Sequence, residues 1–140
     1  MEMTWKKIVL IAGFFVSLIA VPLILISNPM MDVYQGRIDK NPNSGFSQWL
    51  QITMANVCYK TMRPERSAVY YYKFLINYKD DARRPWVMLR YGYSLEDANR
   101  NAEAIEVYQQ VYNEYPEREE GKDALASINR VRYMRKRNGD

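Results

Sequence analysis

The side chains that could carry out chemistry in this sequence are few. Its 140 residues include no histidine and a single cysteine, Cys58. Without histidine, a Ser-His-Asp triad, a histidine acid–base site and a histidine metal site are all excluded. One cysteine excludes an intrachain disulfide and a zinc site of the Cys/His type. Any catalysis would have to use carboxylates, lysines or tyrosines.

The remaining reactive candidates have ordinary structural explanations. A reactive thiolate needs positive surroundings, and Lys60 is the one nearby cation, so we expect Cys58 to be a buried apolar thiol. Glu119 and Glu120 begin a charge-rich stretch and are expected to be solvated. The glycines are scattered and form no phosphate-binding or dinucleotide-binding fingerprint. We therefore predict a protein that is not an enzyme and that has no cofactor, metal or small-molecule substrate.

The N-terminal region contains one long apolar run. No charged residue occurs between Lys7 and Asp32, and the stretch from Ile8 to Ile26 is almost entirely apolar. At about 1.5 Å per residue it would span roughly 28 Å, close to the ~30 Å hydrocarbon core of a bilayer. The apolar region of a cleaved signal peptide is shorter, about 7–15 residues. The run therefore predicts an uncleaved signal anchor.

The charges beside this run indicate its orientation. Lys6 and Lys7 adjoin it on the short N-terminal side, whereas Arg37 and Lys40 lie further downstream. Because positive residues are retained on the cytoplasmic side, the N-terminus is predicted to be cytoplasmic and the rest of the chain extracytoplasmic.

The part that follows contains a repeated helical pattern. One helix face is formed by Ala104, Ile105, Tyr108, Val111 and Tyr112. The same spacing recurs 36 residues earlier (104 − 68 = 36) in Ala68, Val69, Tyr72, Leu75 and Ile76. A third copy, 38 residues before that (68 − 30 = 38), consists of Met30, Met31, Tyr34, Arg37 and Ile38. Apolar residues at this spacing are typical of amphipathic helices.

A second set of helices is predicted between these stripes. Its inward positions are Met88, Tyr91, Gly92 and Leu95 and, 36 residues earlier (88 − 52 = 36), Ile52, Ala55, Asn56 and Tyr59. Breaker residues at Met62–Pro64, at Asp97–Asn101 and at Asn41–Gly45 predict turns. The repeating unit is thus a helix, a short turn and a second helix.

This unit resembles the tetratricopeptide repeat family over about residues 30–116. The family's motif positions are matched by Met88, Tyr91, Gly92, Leu95, Ala104, Tyr108, Val111 and Pro116. The first repeat departs from the family at Asn56, where the family has Gly, and at Asp80, where it has Pro. The 36-residue spacing is similar to a variant found in bacterial envelope proteins. The resemblance therefore implies the bacterial inner membrane, with the repeats on the periplasmic side.

The resulting architecture is all-α: an N-terminal transmembrane helix, a short solenoid of helical hairpins and a C-terminal capping helix. The predicted segments are 1–7 (cytoplasmic N-terminus), 8–27 (membrane anchor), 28–45 (half repeat and loop), 46–116 (two repeats) and 117–140 (capping helix and basic C-terminus). The apolar stripe of the cap is Ala124, Leu125, Ile128 and Val131. Solenoids need such a cap to cover the last repeat.

The resemblance also implies a binding face, because the first helix of each repeat lines a concave groove in that family. By motif position this face comprises Trp86, Leu89, Tyr93 and Glu96 in the second repeat and Leu50, Thr53, Val57 and Lys60 in the first. Trp86 and Tyr93 are large and amphipathic, which suits contact with a protein segment. The alternative is that the half repeat or the cap covers some of these side chains.

Two further groups could contact partners. In the run Tyr70–Tyr72, the stripe places Tyr72 in the core, so Tyr70 and Tyr71 either contact a partner or pack elsewhere. The C-terminal helix ends in basic residues, namely Arg130, Arg132, Arg135, Lys136 and Arg137. Acidic residues first and basic residues last also favour the helix dipole. The tail is thus either a dipole-matched, solvated end or a contact for lipid or another subunit. Nucleic acid binding is not expected.

Together these features predict a membrane-anchored, non-enzymatic interaction protein. It would be a scaffold, assembly factor or accessory subunit of a multi-subunit membrane complex, such as a respiratory, photosynthetic or secretory one. Its partners would be protein subunits and, through the N-terminal helix, the lipid bilayer. The alternative is a periplasmic chaperone or recruiting receptor that binds client proteins transiently.

Overall fold

The computed structural model describes residues 5–138, and all regular structure in that range is α-helical. The chain divides into two compact units, Met1–Lys40 and Asn41–Asp140. The all-α prediction is therefore confirmed. Each unit is described separately below.

The first unit contains α1 (Trp5–Leu25) and α2 (Asn28–Lys40). No residue of α1 is buried, although most of its side chains are large and apolar. By length and composition α1 meets the requirements of a membrane span, and a signal sequence near an N-terminus meets the same requirements. On α2 the buried side chains are Met31, Gln35 and Ile38, so Met31 and Ile38 of the predicted stripe lie inside, whereas Arg37 is exposed.

The second unit is a row of five helices. They are α3 (Gly45–Lys60), α4 (Pro64–Asn77), α5 (Arg84–Asp97), α6 (Asn101–Glu114) and α7 (Glu119–Asn138). Each helix packs against the next one along the chain, and α5 also contacts α7. This nearest-neighbour packing is that of a solenoid.

Short turns and local caps set the helix ends. Ser44 caps α3, since its hydroxyl oxygen accepts a 3.0 Å hydrogen bond from the amide of Ser47. Proline begins α4 at Pro64, where the missing amide proton costs no helical hydrogen bond. The turns that were predicted around Arg63 and Asn99 are both present.

The hairpins α3–α4 and α5–α6 repeat with a period of 37 residues. Met62 and Asn99 follow the first helices of the two hairpins, both have positive φ, and they lie 37 residues apart (99 − 62 = 37). In both turns the next amide donates a 2.9 Å hydrogen bond to the carbonyl four residues before the positive-φ residue. The C-caps Tyr78 and Tyr115 are also 37 residues apart (115 − 78 = 37). The predicted spacing of 36 is therefore one residue too short for this pair.

The core of the second hairpin depends on Gly92. A Cβ atom at this position would lie 2.4 Å from Cε1 of Tyr108, so only glycine leaves room for the tyrosine ring. Tyr108 is completely buried, as are Ala104 and Val111 on the same face of α6. The predicted stripe of α6 is thus confirmed, and its packing explains the Gly and aromatic positions of the motif.

The predicted stripe of α4 is correct only in part: Ala68 is buried and Leu75 packs against the core, whereas Val69 and Ile76 are about half exposed. Tyr72 was expected in the core but is 51% exposed, whereas Tyr70 and Tyr71, considered as partner contacts, are 4% and 0% exposed. The buried positions of α4 are Ser67, Ala68, Tyr70, Tyr71 and Phe74. The 37-residue period explains this result, because it pairs Tyr71, not Tyr72, with Tyr108 and pairs Ala55, not Asn56, with Gly92.

The last helix covers the second hairpin. Ala124, Ile128 and Val131 are buried as predicted and belong to the same core cluster as Tyr108. Leu125 is 39% exposed, which the stripe did not predict, and Ser127 is buried instead. Gly121 permits the close approach at the start of α7, since a Cβ there would lie 2.0 Å from the carbonyl oxygen of Tyr115.

Candidate functional site

The most distinctive surface of the second unit is formed by α5 together with α3. Trp86, Arg90 and Tyr93 occupy positions i, i+4 and i+7 of α5 and therefore share one face. The guanidinium carbon of Arg90 lies 5.3 Å from the ring centre of Trp86 and 5.9 Å from that of Tyr93. Tyr59 of α3 completes the group, with its ring centre 5.5 Å from the same carbon.

These rings are supported from below by buried tyrosines. Tyr71 meets Trp86 edge-on, with ring centres 6.3 Å apart, and Tyr108 meets Tyr93 at 5.8 Å. The hydroxyl of Tyr71 donates to Oδ1 of Asn56 at 2.5 Å. Burial raises the pKa of Tyr71 well above its usual range, so the group stays neutral and acts as a hydrogen-bond donor. The rings of Trp86 and Tyr93 thus pack against buried tyrosines whose positions are fixed.

Glu96, predicted to contact a partner, is engaged within the chain. Its Oε2 accepts hydrogen bonds of 2.8 Å from the Tyr108 hydroxyl and from Arg130 of α7. Burial, and then the hydrogen bond to Glu96, raise the pKa of Tyr108. The hydrogen bond to Glu96 also raises the pKa of the Arg130 guanidinium. Glu96 therefore joins the second hairpin to the capping helix.

Of the other predicted residues in the second repeat, Trp86 and Tyr93 are half-buried and Leu89 is 5% exposed. Leu89 belongs to the core cluster and so contributes to packing. Trp86 and Tyr93 retain surface that a partner could contact.

In the first repeat, the 37-residue period changes the equivalent positions. The counterparts of Trp86, Leu89, Tyr93 and Glu96 are Trp49, Ile52, Asn56 and Tyr59. The residues chosen from the 36-residue spacing lie one position further on: Leu50, Thr53 and Val57 are half-buried and Lys60 is exposed. The first-repeat side of the face is therefore centred on Trp49 and Tyr59.

Trp49 is the counterpart of Trp86 in the first repeat and lies near the start of α3. It is 56% exposed and stacks on Phe46, which is 58% exposed, with ring centres 5.9 Å apart. We call the set Trp49, Tyr59, Trp86, Arg90 and Tyr93 the α3–α5 face. Aromatic and arginine side chains that keep part of their surface exposed are typical of protein-binding surfaces.

The basic end of α7 is divided between two environments. Arg130 pairs with Glu96, and Arg135 lines a polar cavity of about 400 Å³ together with Glu96 and Asp97. Lys136 and Arg137 are exposed. Arg130 thus has a structural role. Of the basic residues considered for contact with lipid or another subunit, Lys136 and Arg137 remain candidates.

A groove lies between α4, α5 and α6. It has a volume of about 390 Å³ and is lined by residues of α4, α5 and α6, including Tyr72, Ile76, Met88 and Val107. Its walls are mostly apolar, and it carries no cluster of rings around a cation comparable to Arg90. Among residues 5–138, no three acidic or cysteine side chains are grouped so that they could hold a metal ion.

Sequence reasoning missed Trp49, Tyr59 and Arg90 as members of this face. Arg90 could have been found, because it lies four residues after Trp86 and three before Tyr93 on one helix face. Tyr59 was predicted to face inward. Trp49 was not chosen, because the 36-residue spacing pairs Trp86 with Leu50 instead. Only the positions of the turns distinguish a repeat period of 36 residues from one of 37 residues.

The helices and the face together define a class of protein, a solenoid of helical hairpins whose first helices present a continuous surface. Residues 86–118 match the tetratricopeptide repeat family, so this segment, which covers most of α5 and α6, is a tetratricopeptide repeat. This confirms the resemblance drawn from Gly92, Tyr108 and their neighbours. The family is a non-catalytic fold for protein–protein interaction, which is the role indicated for this chain. A comparison with curated proteins gives no match.

Proposed function

We propose that this protein is a non-enzymatic, membrane-anchored interaction subunit that binds a protein partner through the α3–α5 face. The observation that carries the proposal is the grouping of Tyr59, Trp86 and Tyr93 around Arg90, because these side chains combine large contact area with a cation. Their support by buried tyrosines keeps the rings in place before binding. A preorganised surface loses less conformational entropy when a partner binds.

The membrane anchor in this proposal is α1. Its large apolar side chains are exposed, and Lys6 and Lys7 lie in its first turn, before the apolar run. Exposed apolar surface of this extent is stable in lipid and not in water. The proposal places the N-terminus in the cytoplasm and the repeats on the periplasmic side of a bacterial inner membrane, as part of a larger membrane complex.

Anchoring and binding would reinforce each other. A span in the same bilayer as the partner raises the effective concentration of the second contact. We therefore expect the full chain to copurify with its partner more completely than a chain without α1.

The test of the binding face is copurification from membranes in mild detergent. Trp86→Ala combined with Tyr93→Ala, made in the full chain, should reduce the recovered partner at least about fivefold, because two aromatic anchors are lost. Tyr72→Ala is the matched control, since it removes an exposed tyrosine from the other side of the hairpins. Circular dichroism must show that the double variant is folded. A folded double variant with full partner recovery would exclude this face.

The same preparation separates the two modes of interaction. A stoichiometric partner that stays bound through purification supports a stable subunit. Substoichiometric partners that exchange with added competitor support the alternative of a periplasmic chaperone or recruiting receptor.

The orientation is tested with reporters fused to the C-terminus. A periplasm-dependent enzyme such as alkaline phosphatase should be active, and a fluorescent protein that matures only in the cytoplasm should be dark. Replacing Lys6 and Lys7 by glutamine should increase the fraction with inverted topology, because the positive charges that hold the N-terminus inside are removed. Fluorescence from the unmodified fusion would contradict the orientation.

A further inference from the structure

The groove between α4, α5 and α6 is cationic at one end and apolar along the rest of its length. We call it the α4–α6 groove, and its volume is about 390 Å³. Its apolar walls are formed by Tyr72, Leu75, Ile76, Met88, Tyr91 and Val107. Its two cations are Lys79, which follows α4, and Arg84, which begins α5. None of the described residues that line it is acidic.

The apolar surface continues along α4 beyond Tyr72. A further cavity of about 350 Å³ is lined by Val69 and shares Tyr72 and Tyr91 with the first one. Val69, Tyr72 and Ile76 are 49%, 51% and 48% exposed and lie on one face of α4. Because the helix rises by about 10 Å between Val69 and Ile76, this surface is elongated.

The two ends of this surface differ in their charge balance. At the far end, Arg100 and Glu103 line the cavity together and form an ion pair, with 2.6 Å between their nearest nitrogen and oxygen atoms. At the near end, Lys79 and Arg84 form no ion pair with a carboxylate of the described residues. Nη1 of Arg84 donates a 3.0 Å hydrogen bond to the carbonyl oxygen of Leu75, which uses one of five N–H groups.

The acidic residues close to this end have other partners or lie outside the groove. Asp81 pairs with Arg83, with 2.7 Å between the two side chains. Glu114 accepts a 2.7 Å hydrogen bond from the side chain of Gln110, which also lines the groove. Asp80 is exposed and does not line the groove. The groove therefore presents positive charge at one end, and no acidic side chain among its described lining residues balances it.

The shape and the walls of the groove favour a hydrocarbon chain over a protein segment. An α-helix with its side chains is about 10–12 Å wide, whereas a cavity of about 390 Å³ is at the lower end of the range that small ligands occupy. An extended segment would bring backbone N–H and C=O groups that need partners. The polar groups on the apolar walls are the hydroxyls of Tyr72 and Tyr91. An alkyl chain has no hydrogen-bonding groups to satisfy.

We propose that the α4–α6 groove binds a fatty acid anion, with its carboxylate at Lys79 and Arg84 and its alkyl chain between α4 and α6. The carboxylate accepts charge-assisted hydrogen bonds from the Lys79 ammonium and from the remaining N–H groups of Arg84, and such bonds are stronger than neutral ones. The volume of the groove suits one alkyl chain and not the two chains of a phospholipid. This inference goes beyond the proposed function and does not use the α3–α5 face.

The test is photolabelling of the full chain in nanodiscs of zwitterionic phospholipid. The probes are palmitic acid with a photoreactive diazirine in its chain and the methyl ester of the same molecule, which has no charge. After irradiation, mass spectrometry of peptides measures the label in residues 68–91 and 104–110. The acid should label these segments at least about fivefold more than the ester, because only the acid makes charge-assisted hydrogen bonds.

A charge variant and a blocking variant locate the site. Lys79→Glu places a carboxylate beside Arg84 and should reduce the acid-to-ester ratio to less than about twofold, because the ligand's place is then taken. Lys122→Glu is the matched control, since it makes the same charge change at an exposed lysine of α7, and it should leave the ratio unchanged. Ile76→Trp should reduce labelling by both probes at least about threefold, because the larger side chain fills the groove. Circular dichroism checks that each variant is folded, and Lys79→Gln replaces Lys79→Glu if that variant is not.

Equal labelling of the groove by acid and ester, including no labelling by either, would overturn the proposal. So would an acid preference that persists in the folded Lys79→Glu variant, or one that is lost equally in Lys122→Glu. Unlabelled palmitate should compete with the probe. Equal competition by phosphatidylglycerol would assign the groove to a bilayer phospholipid and would also contradict the proposal. Failure of the proposed function is a separate result, because the Trp86→Ala and Tyr93→Ala double variant should be labelled like wild type.

Discussion

The two helical hairpins have the same arrangement of helices and turns, but their cores contain different side chains. Both have a buried tyrosine, Tyr71 or Tyr108, and a small residue at the equivalent position of the preceding helix. In the second hairpin that residue is Gly92, and the ring of Tyr108 occupies the space of a side chain. In the first it is Ala55, which is itself fully buried. The two hairpins therefore share their helix ends and differ in the small residue that stands at this position.

The hydroxyl groups of these tyrosines also have different partners. Tyr71 donates to Asn56, whereas Tyr108 donates to Glu96. The position equivalent to Asn56 in the second hairpin is Tyr93, which offers a ring and no amide oxygen. The second hairpin therefore uses its acid to satisfy the buried tyrosine and to attach α7. The first hairpin has Tyr59 at the position equivalent to Glu96, and the ring of Tyr59 lies beside Arg90 of α5.

The largest expected effect tests the 37-residue register. Tyr108→Ala and Tyr71→Ala should each lower the free energy of unfolding by about 3–5 kcal/mol, because each removes a fully buried ring. Tyr72→Ala should cost less than about 1 kcal/mol, since that side chain is half exposed. Thermal unfolding of the full chain in detergent, followed by circular dichroism, measures the difference. A cost for Tyr72→Ala as large as that for Tyr71→Ala would restore the 36-residue alignment.

A smaller effect is expected at the close approach of α5 and α6. Gly92→Ala should destabilise the protein by about 1–3 kcal/mol, because the new methyl group overlaps the ring of Tyr108. Most of this cost should disappear in a Tyr108→Ala background, where the space is free. Gly36→Ala is the control: apart from its chain neighbours and the local backbone of α2, no atom lies within 4 Å of its Cβ position, so alanine should be neutral or stabilising by up to about 1 kcal/mol. Equal costs in both backgrounds would show that the clash is not with Tyr108.

The smallest effect compares the two equivalent turns. Met62 has φ of 55° and Asn99 has φ of 61°. Asparagine tolerates this left-handed conformation better than methionine does, and glycine adopts it without strain. Met62→Gly should therefore raise the free energy of unfolding by about 1 kcal/mol, whereas Asn99→Gly should change it by less than about 0.5 kcal/mol. The melting temperatures of the two variants are sufficient to rank them. A loss of stability in Met62→Gly would indicate that the exposed methionine side chain makes a stabilising contact.

The second repeat was the most predictable part of the fold. Gly92, Ala104 and Tyr108 fulfil a packing requirement that is local to one hairpin, so their types and spacing were enough to identify it. In the first repeat the chain offers three consecutive tyrosines, and a helix with Tyr70–Tyr72 has no unique inward face by composition alone. The turn at Met62 fixed the register there, and a methionine is not a recognisable sequence signal for positive φ.

The candidate site was predictable only in part. Trp86 and Tyr93 followed from their motif positions, because helix geometry places them on the outer face. Leu89 was predicted on the same face and is buried, since the neighbouring helices cover it. Glu96 was predicted to contact a partner protein. In the structure its carboxylate accepts a hydrogen bond from Arg130, which is 34 residues away in the chain. No local pattern reports such a pairing.

The sequence by itself determined that this protein is helical, that its first helix is apolar enough for a bilayer and that its second repeat belongs to a known family. Those properties depend on residue type and on spacing along one or two helices. The tertiary structure decided which tyrosine fills each core, that Glu96 binds Arg130 of the capping helix and that Arg90 lies among three aromatic rings. Those outcomes depend on side chains from different helices meeting in space, where one residue of register changes every contact.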